Sequence, residues 1–290
     1  MNSTINQKAI DVIASIALQS DGANGFGTLS PAVYDTAWVA MIEKQEDGKA
    51  RFLFPESYDF LKLTQLPDGS WASNGCEVDG IINTLAAVLA LKRRKSQNGH
   101  PEPEATSRSI RGEKVLREML NRWDIEKSDR VGFEILVPKL LRLLEDEGIP
   151  EFDFPGRSLL MSLSNKKLSR LRPELVGPTQ TTLIHSLEGF VGDFDFDQVR
   201  HHRMPNGSMF GSPSSTAAYL MNSSTWDDEA ERYLRGVFER KLDGDHVGTF
   251  PSAFPTTIFE TVWVCNQTIS DEMTRVANNS GNFCPLEFWL

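Results

Sequence analysis

The chain has 290 residues, a formal net charge of −10 and a pI of about 5.1, with 40% hydrophobic and 24% charged residues. This composition is typical of a globular protein of one or two domains. The acidic balance disfavours a nucleic-acid binder, which needs clustered Lys and Arg. We expect no membrane span, because no window reaches the roughly 18 apolar residues that one needs. Three cysteines, none at metal-ligand spacing, and no signal-peptide pattern predict a protein of the reducing cytoplasm.

The first third of the chain alternates amphipathic stretches with turns rich in Pro and Gly. Apolar residues at helical spacing predict a helix over 5–18, and Ser30-Pro31 is typical of the start of a second one. Further helices are predicted over 55–64 and 79–95, the latter ending in a basic run that suits the helix dipole. Residues 96–112 are polar, contain Pro101 and Pro103, and are predicted to form an exposed loop.

The remaining two thirds continue the same pattern. The stretch 132–148 predicts a buried helix interrupted at Pro138, and convincing strands are scarce throughout. Medium helices without a βα alternation indicate an all-α fold. The other predicted helical stretches are 113–124, 156–171, 179–191, 212–222, 227–242 and 254–264.

A similar turn motif occurs at two places in the sequence. QLPDGSW at 65–71 and RMPNGSMF at 203–210 share Pro, Asp or Asn, Gly, Ser and then a large apolar residue. In each case a helical stretch precedes the turn and an Ala-rich helical stretch follows it. Gly supplies the positive φ of such a turn and Asp or Asn caps it locally. The repetition predicts repeated helix hairpins, as in an α/α barrel.

Seven ordered sequence blocks resemble one family, the class II diterpene cyclases, and in particular the fungal bifunctional copalyl diphosphate/ent-kaurene synthases. The resemblance covers residues 5–264 and implies the α/α-barrel-like γ domain of terpene cyclases with an incomplete β-domain portion. It implies a first β-domain-type helix at 1–24, the γ domain at 25–245, and the start of a β domain with a divergent, truncated C-terminus at 246–290. The blocks are SPAVYDTAWVAMI (30–42), QLPDGSW (65–71), NTLAAVLALK (83–92), VGFEILVPKLL (131–141), TTLIHSLEG (181–189), NGSMFGSPSSTAAYL (206–220) and FPTTIFETVW (254–263).

The resemblance implies class II chemistry, in which a carboxylic acid protonates geranylgeranyl diphosphate and cyclisation gives a copalyl-type diphosphate. The family's acid lies in a D-x-D-D motif of the β domain, and this sequence has no such motif. It also lacks the D-D-x-x-D motif of class I chemistry. We therefore predict a cyclase-like protein that is inactive alone and assign no catalytic residue. The alternative is a non-catalytic γ-domain module that binds an isoprenoid, complements a separate β-domain chain or self-associates through an exposed apolar patch.

An acidic stretch follows the SLEG block, and the resemblance implies that such a stretch binds magnesium and diphosphate. Glu188, Asp193 and Asp195 are the predicted Mg²⁺ contacts, because hard carboxylate oxygens suit this ion. The other interpretation is a solvated loop that buries Phe194 and Phe196.

Other candidate residues have structural interpretations. Asp35 near a helix start suits the dipole, and Tyr34 and Trp38 are predicted to lie together in the core. His185 is predicted to be a hydrogen-bonded core residue. His201-His202 are predicted at the surface, Asp227-Asp228 at a helix start, and 241–246 as a linker.

Overall fold

A computed structural model describes residues 7, 11, 27, 29–73, 75–94, 100, 102–128, 130–240 and 247–263. Within the described residues of Leu29–Ala253, eight α-helices, three 3-10 helices and one β-hairpin occur, which confirms the all-α prediction. The hairpin pairs β1 (Glu43–Glu46) with β2 (Lys49–Phe52) in antiparallel register. The α-helices are α1 (Val33–Ala40), α2 (Pro55–Thr64), α3 (Glu77–Arg93), α4 (Pro103–Arg122), α5 (Phe133–Asp146), α6 (Arg157–Leu175), α7 (Pro213–Asn222) and α8 (Asp228–Phe238), and the 3-10 helices are Ile125–Lys127, Thr182–Phe190 and Phe196–His202.

The chain divides into two compact units. One unit is Leu29–Ala253, and the other comprises residues 1–28 with 254–290. In the second unit, residues 257–263 are helical, and the Phe259 and Trp263 rings lie 6.1 Å apart on its surface. The predicted helix at 5–18 and the predicted linker at 241–246 lie outside the described residues, apart from Gln7 and Asp11.

Helices of the larger unit form a closed ring. Going round it, α1 packs against α3, α3 against α5, α5 against the 3-10 helix Thr182–Phe190, that helix against α7, and α7 against α1. The helices between them in sequence lie outside: α2 against α1 and α3, α4 against α3, α6 against α5 and α8 against α7. Four of the five inner elements are therefore followed by an outer helix, which is an α/α-barrel arrangement of helix hairpins.

The two similar turns have the same hydrogen bonds. Leu66 N donates to Ser70 O at 2.8 Å, and Met204 N donates to Ser208 O at the same distance. Asp68 and Asn206 each accept from the backbone N–H and the hydroxyl of the serine two residues later. The next backbone N–H bonds a threonine hydroxyl of the following inner helix, Thr84 or Thr216. The turn thus joins the end of one hairpin to the start of an inner helix at both places.

The glycines of the two turns are required by space as well as by backbone angle. Gly69 has φ +102° and Gly207 φ +91°. A Cβ on Gly69 would lie 2.7 Å from the Arg111 carbonyl oxygen, and one on Gly207 would overlap the Glu229 carbonyl oxygen. Each turn therefore packs directly against an outer helix, α4 or α8.

Three predictions about secondary structure are wrong. Residues 103–112 belong to α4, because Pro103 takes the first helical position, where its missing N–H costs nothing. Pro138 does not interrupt α5, which runs through it as a buried helix. The helix that Ser30-Pro31 opens is predicted to extend through AVYDTAWVAMIEK to residue 44, but α1 ends at Ala40 and residues 43–52 form the hairpin, with Asp47 and Gly48 supplying the two positive φ angles of its turn.

Candidate functional site

A cavity of about 710 Å³ lies where the inner helices begin. The first turns of α1, α3, α5 and α7 border it, together with part of the 3-10 helix Thr182–Phe190. Helix N-termini carry partial positive charge, so this end of the barrel favours carboxylates. The lining side chains with acid, base or hydrogen-bonding groups are Ser30, Tyr34, Asp35, Asp79, Asn83, Arg130, His185, Ser186, Glu188, Ser212, Ser214 and Ser252.

Glu188 is the most enclosed acid of this cavity, with 2% of its surface exposed. The Tyr34 hydroxyl donates to Oε1 at 2.9 Å and the Ser215 hydroxyl donates to Oε2 at 2.6 Å. Burial raises the pKa of Glu188, and the two hydroxyl donors oppose that rise. Glu188 therefore fastens α1 and α7 to the segment between α6 and α7 at the cavity wall.

Asp35 is the second buried acid and is 4% exposed. Its Oδ1 accepts from Ser214 N at 3.3 Å, across the contact between α1 and α7. Burial raises the pKa of Asp35 to about 7, with a smaller rise from the nearby charge of Glu188 and an opposing effect of Ser214. The geometry thus provides two carboxyl groups at one cavity, of which Asp35 is able to hold a proton near neutral pH.

His185 borders the same cavity. Its Nδ1 lies 3.1 Å from the carbonyl oxygen of Phe210, which can only accept, so Nδ1 carries a proton. Phe210 has φ +51°, an uncommon angle for a bulky residue. The structure thus confirms the predicted hydrogen bond of His185 and adds a cavity that the sequence did not indicate.

An ion pair and an amide complete the polar wall. Arg130 pairs with Asp79, whose Oδ2 also caps the start of α3 by accepting from Cys76 N at 3.3 Å. Asn83 is anchored by its amide nitrogen, which donates to Ala72 O at 2.8 Å. These groups supply part of the polar lining, next to apolar side chains such as Ile82 and Leu136.

The three predicted magnesium contacts have different surroundings. Glu188 is held at the cavity by Tyr34 and Ser215, as described above. Asp193 forms an ion pair with the buried Lys139, Nζ to Oδ2 at 2.9 Å. Asp195 is exposed, and its Oδ1 caps the 3-10 helix Phe196–His202 by accepting from Asp197 N at 3.0 Å. Their joint contact with Mg²⁺ stays a prediction that these surroundings do not favour.

The structure agrees in part with the second interpretation of the acidic stretch, a solvated loop that buries Phe194 and Phe196. Phe196 is buried, Phe194 is half-buried, and their rings stack at 5.2 Å.

Within the ranges that the structure describes, no three His, Cys, Asp or Glu side chains converge in a way that could hold a metal ion. No helix in those ranges is long and apolar enough to cross a membrane.

Other sequence candidates have structural roles. Asp227 is the N-cap of α8, as predicted, accepting from Glu229 N and Ala230 N and pairing with Arg203. His201 is exposed, but His202 is buried, so the surface prediction is wrong for His202. His202 Nε2 bonds Leu175 O at 2.9 Å, and desolvation lowers the pKa of this side chain.

A second cavity, of about 580 Å³, lies where the inner helices end. Met41, Arg93, Glu147 and Met221 follow or end α1, α3, α5 and α7 there. Arg93 pairs with Glu147 at 2.7 Å, and Lys44 pairs with Glu231 at 2.5 Å while lying over the Trp226 ring. The cations of this cavity are therefore neutralised by their neighbours, and it lacks the buried acids of the first one.

No family model matches this chain. Comparison with individual proteins does find relatives, which are diterpene synthases by name. The chain is 43% identical over 264 residues to copalyl diphosphate synthase of Talaromyces verruculosus, a match of 89% of this chain and 27% of that protein. It is 46% identical over 251 residues to pimaradiene synthase of Emericella nidulans, matching 85% of this chain and 25% of that protein. The chain thus spans about a quarter of the length of these relatives.

Two solved structures have the same fold over 95% of this chain. One is ent-copalyl diphosphate synthase from Arabidopsis thaliana in complex with (S)-15-aza-14,15-dihydrogeranylgeranyl thiolodiphosphate, with 28% identity and a TM-score of 0.69, of which the match covers 38%. The other is abietadiene synthase from Abies grandis, with 25% identity and a TM-score of 0.69, of which the match covers 36%.

Proposed function

We propose, from the premise that this chain is a diterpene cyclase-like protein, that its helical barrel supplies one wall of a cyclisation cavity. The reaction would be the class II cyclisation of geranylgeranyl diphosphate to a copalyl-type diphosphate. The cavity at the helix N-termini, with the buried Glu188 and Asp35, is the observation that carries this proposal. It is supported by the identity of 43% to a copalyl diphosphate synthase.

The residues of the cavity would have different roles in the reaction. Glu188, held by Tyr34 and Ser215, would present negative charge beside a carbocation that moves through the cavity. His185, in its neutral form, would present Nε2 to a proton or a water molecule, because Nδ1 is bonded to Phe210 O. Val33, Ile82 and Leu136 would contribute apolar surface that protects carbocations from water, beside the polar groups of the same lining.

We propose further that this chain does not start the reaction alone. The sequence has no D-x-D-D motif, and four candidate acids that lie outside the cavity, Asp193, Asp195, Asp227 and Asp228, are engaged in ion pairs, caps or a helix start. A β-domain polypeptide would supply the acid. The prediction of Mg²⁺ as a cofactor concerns the binding of the diphosphate, and no step of the proposed cyclisation depends on the ion.

The experiment combines the purified chain with geranylgeranyl diphosphate and Mg²⁺, with and without the remaining part of the Talaromyces copalyl diphosphate synthase. Phosphatase treatment and mass spectrometry then detect cyclised alcohols. Product that requires both polypeptides supports the proposal. Product from this chain alone contradicts the proposed dependence and makes Asp35 the first residue to replace, because it is the cavity acid that holds a proton near pH 7.

The alternative is a non-catalytic module that binds an isoprenoid, a β-domain chain or a second copy of itself. The helix at 257–263 favours a partner, because Ile258, Phe259, Val262 and Trp263 expose between 50% and 82% of their surface. Binding without turnover in the complementation experiment, measured by calorimetry and by sedimentation, would favour this alternative. A location in the cytoplasm stays a prediction that cell fractionation would test.

A further inference from the structure

A buried lysine lies beside the acidic stretch that follows Glu188. Lys139, on α5, is 6% exposed. Its Nζ donates to the Val191 carbonyl oxygen at 2.7 Å and to Asp193 Oδ2 at 2.9 Å. The Asp193 side chain is itself only 12% exposed. An ammonium group removed from water in this way needs anionic and carbonyl partners, and here it has both.

The oxygens that surround Lys139 are those that a hard divalent cation prefers. Mg²⁺ and Mn²⁺ take carboxylate and carbonyl oxygens together with water. Val191 O and Asp193 Oδ2 provide one of each, and the ammonium lies between them. A metal ion and this ammonium cannot occupy the same place, because their charges repel and the distances leave no room.

The other acids of the stretch do not offer a second arrangement. Asp195 Oδ1 accepts from Asp197 N at 3.0 Å, and Asp197 Oδ1 accepts from Ser224 N at 2.9 Å. Glu188 accepts hydroxyl hydrogen bonds on both oxygens at the cavity. A metal ion would therefore have to displace Lys139 or dismantle these hydrogen bonds.

We propose that the Lys139 ammonium is the built-in cation of the 191–197 stretch, which for that reason does not bind a divalent metal in this chain. Replacing Lys139 by a neutral residue would open a divalent-cation site at Val191 O and Asp193. The residues predicted from sequence to bind Mg²⁺ thus do not fit the ion while Lys139 is present. This inference is independent of the proposed cyclase function.

Mn²⁺ is the probe, since its electron paramagnetic resonance signal reports the free ion. The unchanged chain and the variants Lys139→Met and Lys44→Met are titrated, the latter being a matched control that removes an ion-paired lysine from the other end of the barrel. We expect Lys139→Met alone to bind one Mn²⁺, at least about tenfold more tightly than the other two. Mg²⁺ should compete for this site, and adding Asp193→Asn should abolish it.

Three results would overturn the proposal. The first is Mn²⁺ binding by the unchanged chain that Asp193→Asn abolishes. The second is a folded Lys139→Met variant that binds no Mn²⁺. If Lys139→Met does not fold, Lys139→Gln keeps a donor for Val191 O, and its thermal unfolding is followed with and without Mn²⁺. A melting temperature raised by Mn²⁺ in that variant alone supports the proposal, and the absence of such a rise is the third contrary result.

Discussion

Tyr34 and Glu188 are 154 positions apart, and the Tyr34 hydroxyl donates a hydrogen bond of 2.9 Å to Glu188 Oε1. This contact joins the first inner helix of the ring to the segment that precedes the last one. It also fixes one oxygen of the buried carboxylate at the wall of the larger cavity. Removing it therefore tests both the stability of the barrel and the organisation of the candidate site.

Tyr34→Phe removes the hydroxyl group that donates to the buried Glu188, so Oε1 loses this hydrogen bond. We expect the free energy of unfolding to fall by about 1–3 kcal/mol, because desolvation of the acceptor is no longer compensated. Urea unfolding at neutral pH measures the change. Ser252→Ala, an exposed residue at the cavity edge, is the control and should stay within about 0.5 kcal/mol of the unchanged chain.

Asp35 predicts a pH dependence of stability. Its pKa in the folded chain is about 7, against 3.8 for an ordinary Asp, so the folded state holds the proton more tightly. The stabilisation is fully present below pH 3.8 and is lost as the pH rises through 7. Asp35→Asn, which cannot ionise, should therefore be more stable than the unchanged chain at pH 8, and its gain should be smaller at pH 5 by on the order of 3 kcal/mol.

Urea unfolding at the two pH values gives this comparison. The exposed Asp195 is the control, and Asp195→Asn should show a difference between pH 8 and pH 5 of no more than about 1 kcal/mol. A gain for Asp35→Asn that is equal at both pH values would mean that Asp35 is not protonated in the folded chain at pH 5.

Gly207→Ala should be among the most damaging single substitutions in the barrel. Its Cβ would overlap the Glu229 carbonyl oxygen, and φ is +91°, so both the backbone and α8 have to move. We expect a loss of more than about 2 kcal/mol. Gly192 is a matched control, with φ +79° and no atom within 4 Å of the added Cβ, and Gly192→Ala should cost about 1 kcal/mol. Thermal unfolding of the two variants side by side would reveal whether the contact with α8 accounts for the difference.

Glu188→Gln should reduce product formation in the complementation experiment by at least about tenfold, because a neutral amide no longer stabilises positive charge in the cavity. Asp228→Asn is the control, since Asp228 is exposed in the first turn of α8 and lies outside the cavity lining. The measurement is initial rate with the β-domain polypeptide in excess. Equal rates for both variants and the unchanged chain would remove Glu188 from the proposed site.

Much of the fold was predictable because its helices have strong local signals. α2 has the predicted bounds 55–64, and the stretch 212–222 differs from α7 by one residue. Two of the wrong helix predictions concern prolines, because a proline is compatible with a helix start, a helix interior or a helix end. Pro103 starts a helix and Pro138 is accommodated inside one, and only tertiary packing distinguishes these cases from a break.

The candidate site was predictable only in part, because its residues come from distant parts of the chain. Glu188 was recognised as an acid of interest, but its partners Tyr34 and Ser215 belong to other helices. Asp35 was assigned to the helix dipole, which its position in the first turn of α1 allows. The unused signal was a lone carboxylate within the apolar run AVYDTAWVA, which indicates a buried acid.

The closed ring also affects how the protein can be made. Ala32 N donates to Phe250 O at 2.8 Å, and the Thr36 hydroxyl accepts from Phe250 N at 3.0 Å, so the first inner helix is completed by residues synthesised more than 200 positions later. Until α7 has been synthesised, the face of α1 that packs against it lacks its partner, and the bonds to Phe250 form later still. Contacts of such large sequence separation form slowly. The ring therefore closes only when its last segment is available, and a barrel interrupted before that point is left with two open edges.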